Sequence, residues 1–184
     1  LRRGRPTVHR RSGQNAAILS GDAMLTMAYG LLAEGAGSRF ANIFEEFNRT
    51  AMEVYQGQQL DMEFESRTDV KVDEYIEMIR LKTSVLIACG CTIGAMLADA
   101  EKEVCRRLYD YGLALGLAFQ LRDDWLDTFG DPAVFGKEIG GDIANNKKTW
   151  LLITALNEAP EQITPLLSNK LDREEKVSRV TEIY

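Results

Sequence analysis

AEKEVCRRLYDYGLALGLAFQLRDDWLDTF, residues 100–129, decides the fold. Val104, Leu108, Tyr111, Leu115 and Phe119 recur at three- and four-residue intervals, the period of one face of an α-helix. Proline is absent from the stretch, and Asp99 stands before it as an N-cap. The spacing predicts one long helix over 100–129. Working outward, the same period predicts a third helix over 72–97 and a polar joint over 66–71. A second helix over 38–65 is opened by Ser38 and carries Phe44, Phe47, Ala51, Val54, Gln58, Asp61 and Glu65 as one stripe. A first helix over 14–33 places Ile18, Leu25, Tyr29 and Leu32 on one face and is stopped by Gly35 and Gly37. Past the long helix, 130–148 holds Asp131-Pro132, Gly136-Lys137 and Gly140-Gly141 and reads as a loop. Two or three short helices follow, the last opened by Asp172 with Glu175 at capping-box spacing. No stretch alternates as a strand does. The predicted class is all-α, a single domain over 1–184.

Composition narrows the function. The chain has 184 residues, 45% of them hydrophobic and 27% charged, which suffices for a folded core. Its net charge of −6 argues against nucleic-acid binding, which needs Lys and Arg to neutralise phosphate. Three cysteines, Cys89, Cys91 and Cys105, do not make a disulfide framework and predict a reducing, cytoplasmic setting. The longest weakly polar run, 84–98, is broken by Gly90 and Gly94 and falls short of the roughly 18 residues of a membrane span. The sequence opens at Leu1 with no signal peptide and ends mid-pattern at Glu182-Ile183-Tyr184, so a piece of a longer protein is expected.

Chemistry concentrates at Asp123-Asp124-Trp125-Leu126-Asp127. On a helix Asp123 and Asp127 lie about 40° apart, one turn from each other. Like charges at this spacing repel, and the helix C-terminus disfavours anions further. A bound cation would offset both effects, and Mg²⁺ suits carboxylates that share it with water and substrate phosphate. A solvated acidic helix end is the bland alternative. Downstream, Lys137, Asp142, Lys147 and Lys148 lie in the glycine-rich stretch, which does not have Walker A spacing. Lys82 sits in an otherwise apolar helix segment beside Thr83, a position that suits an ammonium reaching a polar cavity. Gly112 and Gly116 admit two readings: close helix–helix packing, or a smooth groove for a hydrocarbon tail leading from the carboxylates.

Together these residues resemble a known family. Phe119-Gln120-Leu121-Arg122-Asp123-Asp124-Trp125-Leu126-Asp127, with Phe129-Gly130-Asp131-Pro132, Gly136-Lys137 and Asn146-Lys147, is similar to the second aspartate-rich region of the trans-isoprenyl diphosphate synthases. Leu1-Arg2-Arg3-Gly4-Arg5-Pro6-Thr7-Val8-His9 resembles the segment after that family's first aspartate-rich motif. Gly57-Gln58-Gln59-Leu60-Asp61 and Lys82-Thr83-Ser84 match its middle motifs. The matching blocks run in the family's order across essentially the whole chain.

The resemblance implies an all-α bundle of long helices around a central cavity, here an internal portion incomplete at both ends. It implies a homodimeric prenyltransferase that condenses isopentenyl diphosphate with an allylic prenyl diphosphate and releases diphosphate. Asp123, Asp124 and Asp127 would bind Mg²⁺ directly or through water. Arg2 would hold the allylic diphosphate and Arg3 the isopentenyl diphosphate, while Lys82, Gln120 and Lys137 would contact the allylic diphosphate. The Thr83 carbonyl and the Gln120 amide would face the allylic carbocation, Gln58 and Asp61 would line the pocket, and Lys147 would come from a closing loop. His9 would be structural. The first aspartate motif is absent, so the resemblance implies that 1–184 alone is inactive. The intact aspartates, with Lys82 and Arg2-Arg3, argue against a terpene cyclase and against a non-catalytic partner subunit, and the 130–148 loop argues against a plain helical module.

Overall fold

The computed structural model describes residues 5–131, 134, 139–168 and 171–184, and every element of regular structure among them is helical. The helices are α1 (Val8–Ser12), α2 (Gln14–Ala36), α3 (Phe40–Ser66), α4 (Val72–Ile79), α5 (Val85–Leu97) and α6 (Lys102–Phe129). Then come α7 (Gly141–Ala144), α8 (Trp150–Glu158), α9 (Pro160–Ile163) and α10 (Arg173–Ile183). α2 ends at Gly37, whose φ of 53° is the left-handed conformation that glycine accepts without strain. The next helix does not open at Ser38. That residue lies in a 3₁₀ turn, Gly37–Arg39, and α3 begins at Phe40 without a side-chain cap. Asp172 does cap α10, accepting from the Glu174 N–H at 3.1 Å. Glu175 pairs with Arg179 at 3.2 Å, so no capping-box bond forms at Glu175.

The expected third helix is interrupted. Arg80–Ser84 is a π-helical turn between α4 and α5, with the Val85 N–H bonded back to the Arg80 carbonyl. Such turns insert an extra residue and are frequent at functional sites. Two glycines from neighbouring helices hold this one. A Cβ on Gly57 of α3 would collide with the Lys82 backbone nitrogen. A Cβ on Gly116 of α6 would lie 2.7 Å from the Ser84 Cβ and 2.8 Å from its Oγ. One turn along, a Cβ on Gly112 would fall 2.5 Å from the Ala88 Cα. Gly112 and Gly116 are therefore points of close helix contact, and the groove reading of these two positions is overturned.

The same contacts decide which face of α6 is inside. Cys105, Gly112, Gly116, Asp124 and Thr128 are buried. The large apolar stripe that signalled the helix faces out, with Tyr111 60% and Phe119 59% exposed. On α3 the buried residues are Ile43, Thr50, Gly57 and Phe64, one step around from the expected stripe. Phe64, Val70, Tyr75, Met78, Ile79 and Ile153 form one core cluster. Ile143, Leu152, Ala155, Ile163, Leu166 and Val180 form a second. Through Ile143 the second cluster anchors α7 inside the stretch that reads as a loop.

Two helical stretches, Gln14–Ser66 and Val72–Leu97, contain windows of mean hydropathy 1.4, long and apolar enough to cross a membrane by length and composition alone. The sequence expectation concerns unbroken apolar runs, whereas these stretches pass on a window average, which isolated Gly, Ser and Thr barely lower. Half of the second window is buried inside the protein, as a core helix would be, and none of the first.

Candidate active site

The π-turn aims Lys82 and Thr83 at different helices. The Lys82 ammonium pairs with the Asp61 carboxylate of α3 at 2.5 Å. The Thr83 hydroxyl donates to the Gln120 Oε1 of α6 at 3.0 Å, and the Gln120 Nε2 donates to the Asp124 Oδ1 at 2.9 Å. The other Asp124 oxygen accepts from the Tyr75 hydroxyl of α4 at 2.5 Å. Tyr75 is fully buried and Asp124 is 3% exposed. Burial first, and then the Asp124 charge, push the Tyr75 hydroxyl well above the ordinary phenol range.

One turn further along α6, the Asp127 Oδ2 accepts from the Asp142 N–H at 2.8 Å, and its carbonyl accepts from the Gly140 N–H at 2.6 Å. Gly140 has φ 77°, and a Cβ there would strike Val177 of α10, so only glycine fits this approach. α10 also braces the segment through Lys176, whose buried ammonium donates to the Ala144 carbonyl at 3.2 Å. These bonds bring the Asp142 carboxylate and the Lys147 ammonium together at 3.3 Å, with Lys147 also 3.9 Å from Asp124. Burial pushes the Asp142 carboxyl up to about 6; Lys147 opposes this, while Asp127 and Asp124 add to it. Burial works against the Lys147 ammonium, but the Asp142, Asp124 and Asp61 carboxylates outweigh it and raise its pKa. A cleft of about 470 Å³ opens here, lined by Asp61, Phe64, Asp142, Lys147 and Lys148 among others.

The structure thus brings Asp61, Lys82, Thr83, Gln120, Asp124, Asp127 and Lys147 into one region. Gln58 is exposed on α3, one turn before Asp61, and Asp123 is half-buried on α6. The expected roles of Arg2, Arg3 and Lys137 fall on positions outside the described residues. Tyr75 and Lys176 are additions that sequence reasoning missed. Each looks like an ordinary helix residue until the partner helix is known.

The carboxylates are the candidate holders of a divalent cation. Among the described residues, no three acidic, His or Cys side chains converge as a complete metal site. The donors are nonetheless all oxygen, and burial first, then the Asp127 and Asp124 charges working against Lys147, hold the Asp142 carboxyl up. Carboxylate oxygens are the donors that a hard dication takes, and here they make at most a partial ligand set.

The family model described as Polyprenyl synthetase matches residues 1–184. The chain belongs to the polyprenyl synthetase family. It is 40% identical over 191 residues to the geranylgeranyl diphosphate synthase of Saccharolobus solfataricus, matching 100% of this chain and 58% of that protein. A solved geranylgeranyl pyrophosphate synthase superposes with a TM-score of 0.93 at 46% identity, over 100% of this chain and 58% of that one. The polyprenyl synthase from Caulobacter crescentus CB15, solved with calcium and isoprenyl diphosphate, has a TM-score of 0.87 at 29% identity, over 100% and 56%. This polyprenyl synthetase chain therefore spans a little over half the length of those relatives. Its helices occupy the positions that theirs do, so the all-α expectation holds.

Proposed function

We propose that the full-length protein is a Mg²⁺-dependent prenyltransferase that joins isopentenyl diphosphate to an allylic prenyl diphosphate. One observation carries the reading: the Lys82–Asp61 pair, the Thr83–Gln120–Asp124 chain and the Asp127–Asp142–Lys147 group adjoin one another beside the cleft that Asp61, Asp142 and Lys147 line. Each has a chemistry that ionisation of an allylic diphosphate requires. The similarity to synthases, one solved with a divalent cation and isoprenyl diphosphate, supports it.

In this mechanism Asp123, Asp124 and Asp127 would hold Mg²⁺, directly or through water, and the ion would supply charge neutralisation to the diphosphate. Lys82 and Lys147 place ammonium groups on the departing phosphate oxygens, and Lys137 and Arg2 add to them. Lys82 already has an anionic partner in Asp61, so a diphosphate would compete with or bridge that pair. As the allylic C–O bond breaks, its electron pair leaves with diphosphate. The Gln120 amide oxygen and the Thr83 carbonyl place negative dipole ends beside the cationic carbon, stabilising it electrostatically in a site that excludes water. The alkene of isopentenyl diphosphate, held by Arg3, then forms the new C–C bond. The proton lost from the adduct passes to the released diphosphate. Asp61 lines the pocket, and Gln58, one turn before it, would complete that wall.

We also assign a homodimeric, cytoplasmic enzyme without a membrane span. The outward Met24, Met27 and Leu31 of α2 share a face that a second copy would cover. Replacing Lys82 by Met tests the site: turnover should fall by about 10² to 10³, as for loss of one electrostatic group in a dry site. Unchanged turnover would remove Lys82 and the π-turn from the mechanism.

A further inference from the structure

A glutamine amide can present either its oxygen or its N–H₂ to a neighbour, and the two ends have opposite polarity. For Gln120 that choice decides whether it attracts or repels a cationic carbon. Its Thr83 partner cannot make the choice, because a hydroxyl donates to an oxygen or accepts from an N–H₂ equally well. Its other partner can. Asp124 is buried, and among the described residues each group hydrogen-bonded or ion-paired to it is a donor: Tyr75 on Oδ2, Gln120 on Oδ1, and the Lys147 ammonium 3.9 Å from Oδ1. A carboxylate among donors accepts only, so Gln120 must turn its N–H₂ inward and leave its oxygen on the Thr83 side.

We infer that Asp124 and Tyr75 are positioning residues that set the polarity of Gln120, fixing its carbonyl oxygen as the end that faces the reacting carbon. The inference rests on the prenyltransferase reading. It gives the middle aspartate of Asp123-Asp124-Trp125-Leu126-Asp127 a task separate from holding metal.

Tyr75 makes the assignment testable. In Asp124→Asn the side chain has one accepting and one donating end. Tyr75 is sealed in the core and Asp124 is its hydroxyl's partner among the described residues, so accepting from Asn would bury the hydroxyl hydrogen unpaired, and donating to the accepting end is favoured. The donating end then faces Gln120, and the amide flips. Removing the hydroxyl as well, in Asp124→Asn/Tyr75→Phe, frees Asn to turn its oxygen toward Gln120 and restore the original polarity. A residue serving only as scaffold would show the opposite order, with the double variant worse than the single.

The measurement is calorimetric binding, at saturating Mg²⁺, of two allylic diphosphate analogues of equal shape. One carries a protonated ammonium at the reacting position and the other a neutral carbon. The full-length protein should prefer the ammonium analogue. Asp124→Asn should lower that preference by about 10- to 100-fold, the range of one charge-assisted hydrogen bond. The double variant should recover it to within about threefold, well under the weight of one such bond. Equal weakening of both analogues in Asp124→Asn, or no recovery in the double variant, would overturn the inference. Should Asp124→Asn not fold, Thr83→Val decides: retained preference supports Asp124 as the orienting group, and lost preference overturns it. Wild-type protein that binds both analogues equally refutes the polarity claim alone, whereas protein that binds neither refutes the prenyltransferase reading beneath it.

Discussion

Replacing Gly112 by Ala adds a single methyl group and separates two accounts of α6. That methyl would sit 2.5 Å from the Ala88 Cα, 2.9 Å from its nitrogen and 3.2 Å from its Cβ. Carbon atoms rest about 3.5–4.0 Å apart, so α5 and α6 would have to separate by about 1 Å or more at this crossing. Overpacking of this kind costs roughly 1–3 kcal/mol, and the upper end applies because the clash is with backbone. Alanine regains about 1 kcal/mol over glycine in a helix. The net expectation is about 2 kcal/mol of destabilisation, a fall of roughly 4–8 °C in Tm at this chain length. Gly94→Ala on α5 is the internal control. Nothing lies within 4 Å of its would-be Cβ, so only the helix-propensity gain remains. Its Tm should rise by roughly 2–4 °C. Thermal unfolding followed by circular dichroism reads both. If Gly112→Ala melts at or above the parent temperature, the close-contact reasoning fails and an open groove along α6 becomes the better description.

Three further outcomes are expected. Asp123→Asn in the full-length protein should reduce kcat by about 10² to 10⁴, since metal charge stabilisation is worth several kcal/mol; saturation kinetics in Mg²⁺ read this, and near-parental turnover would rule Asp123 out as a ligand. Without divalent cation, Asp142→Asn should be more stable than the parent by about 1–2 kcal/mol above pH 7. The folded Asp142 value of about 6 lies above its ordinary 3.8, so the stability this group contributes is present below 3.8 and lost as pH climbs to about 6. Urea midpoints at pH 4 and pH 8 should therefore show the difference only at the higher pH. Gly57→Ala should displace the π-turn, because its methyl collides with the Lys82 nitrogen; the affinity for inorganic diphosphate should drop along with Tm, and an unchanged affinity would detach Gly57 from the site.

The helices were legible in the sequence because apolar period, glycine stops and the Asp172 cap are local signals. Which face each helix buries was not. The Val104, Leu108, Tyr111, Leu115 and Phe119 stripe is the most apolar face of α6. Yet α6 meets α5 through Gly112 and the π-turn through Gly116, where backbones come close, and hydrophobicity carries no record of close approach. The π-turn was hidden for the same reason: it depends on Gly57 and Gly116, which lie far from Lys82 in sequence. Lys82, Thr83, Gln120 and the aspartates stood out as polar residues in helices that otherwise read as core. Tyr75 did not, because its hydroxyl has meaning only against Asp124, 49 positions away.

Most of this account depends on the cleft lined by Asp61, Asp142 and Lys147 being the place where an allylic diphosphate ionises and is captured by an alkene. The direct test incubates the full-length protein with Mg²⁺, an allylic prenyl diphosphate and isotopically labelled isopentenyl diphosphate, and analyses the products by mass spectrometry. The account predicts a prenyl diphosphate longer by one or more labelled five-carbon units, one diphosphate released per unit, and loss of both on chelation of the metal. Diphosphate release with the label left in isopentenyl diphosphate, giving a cyclic hydrocarbon or an alcohol instead, would contradict it.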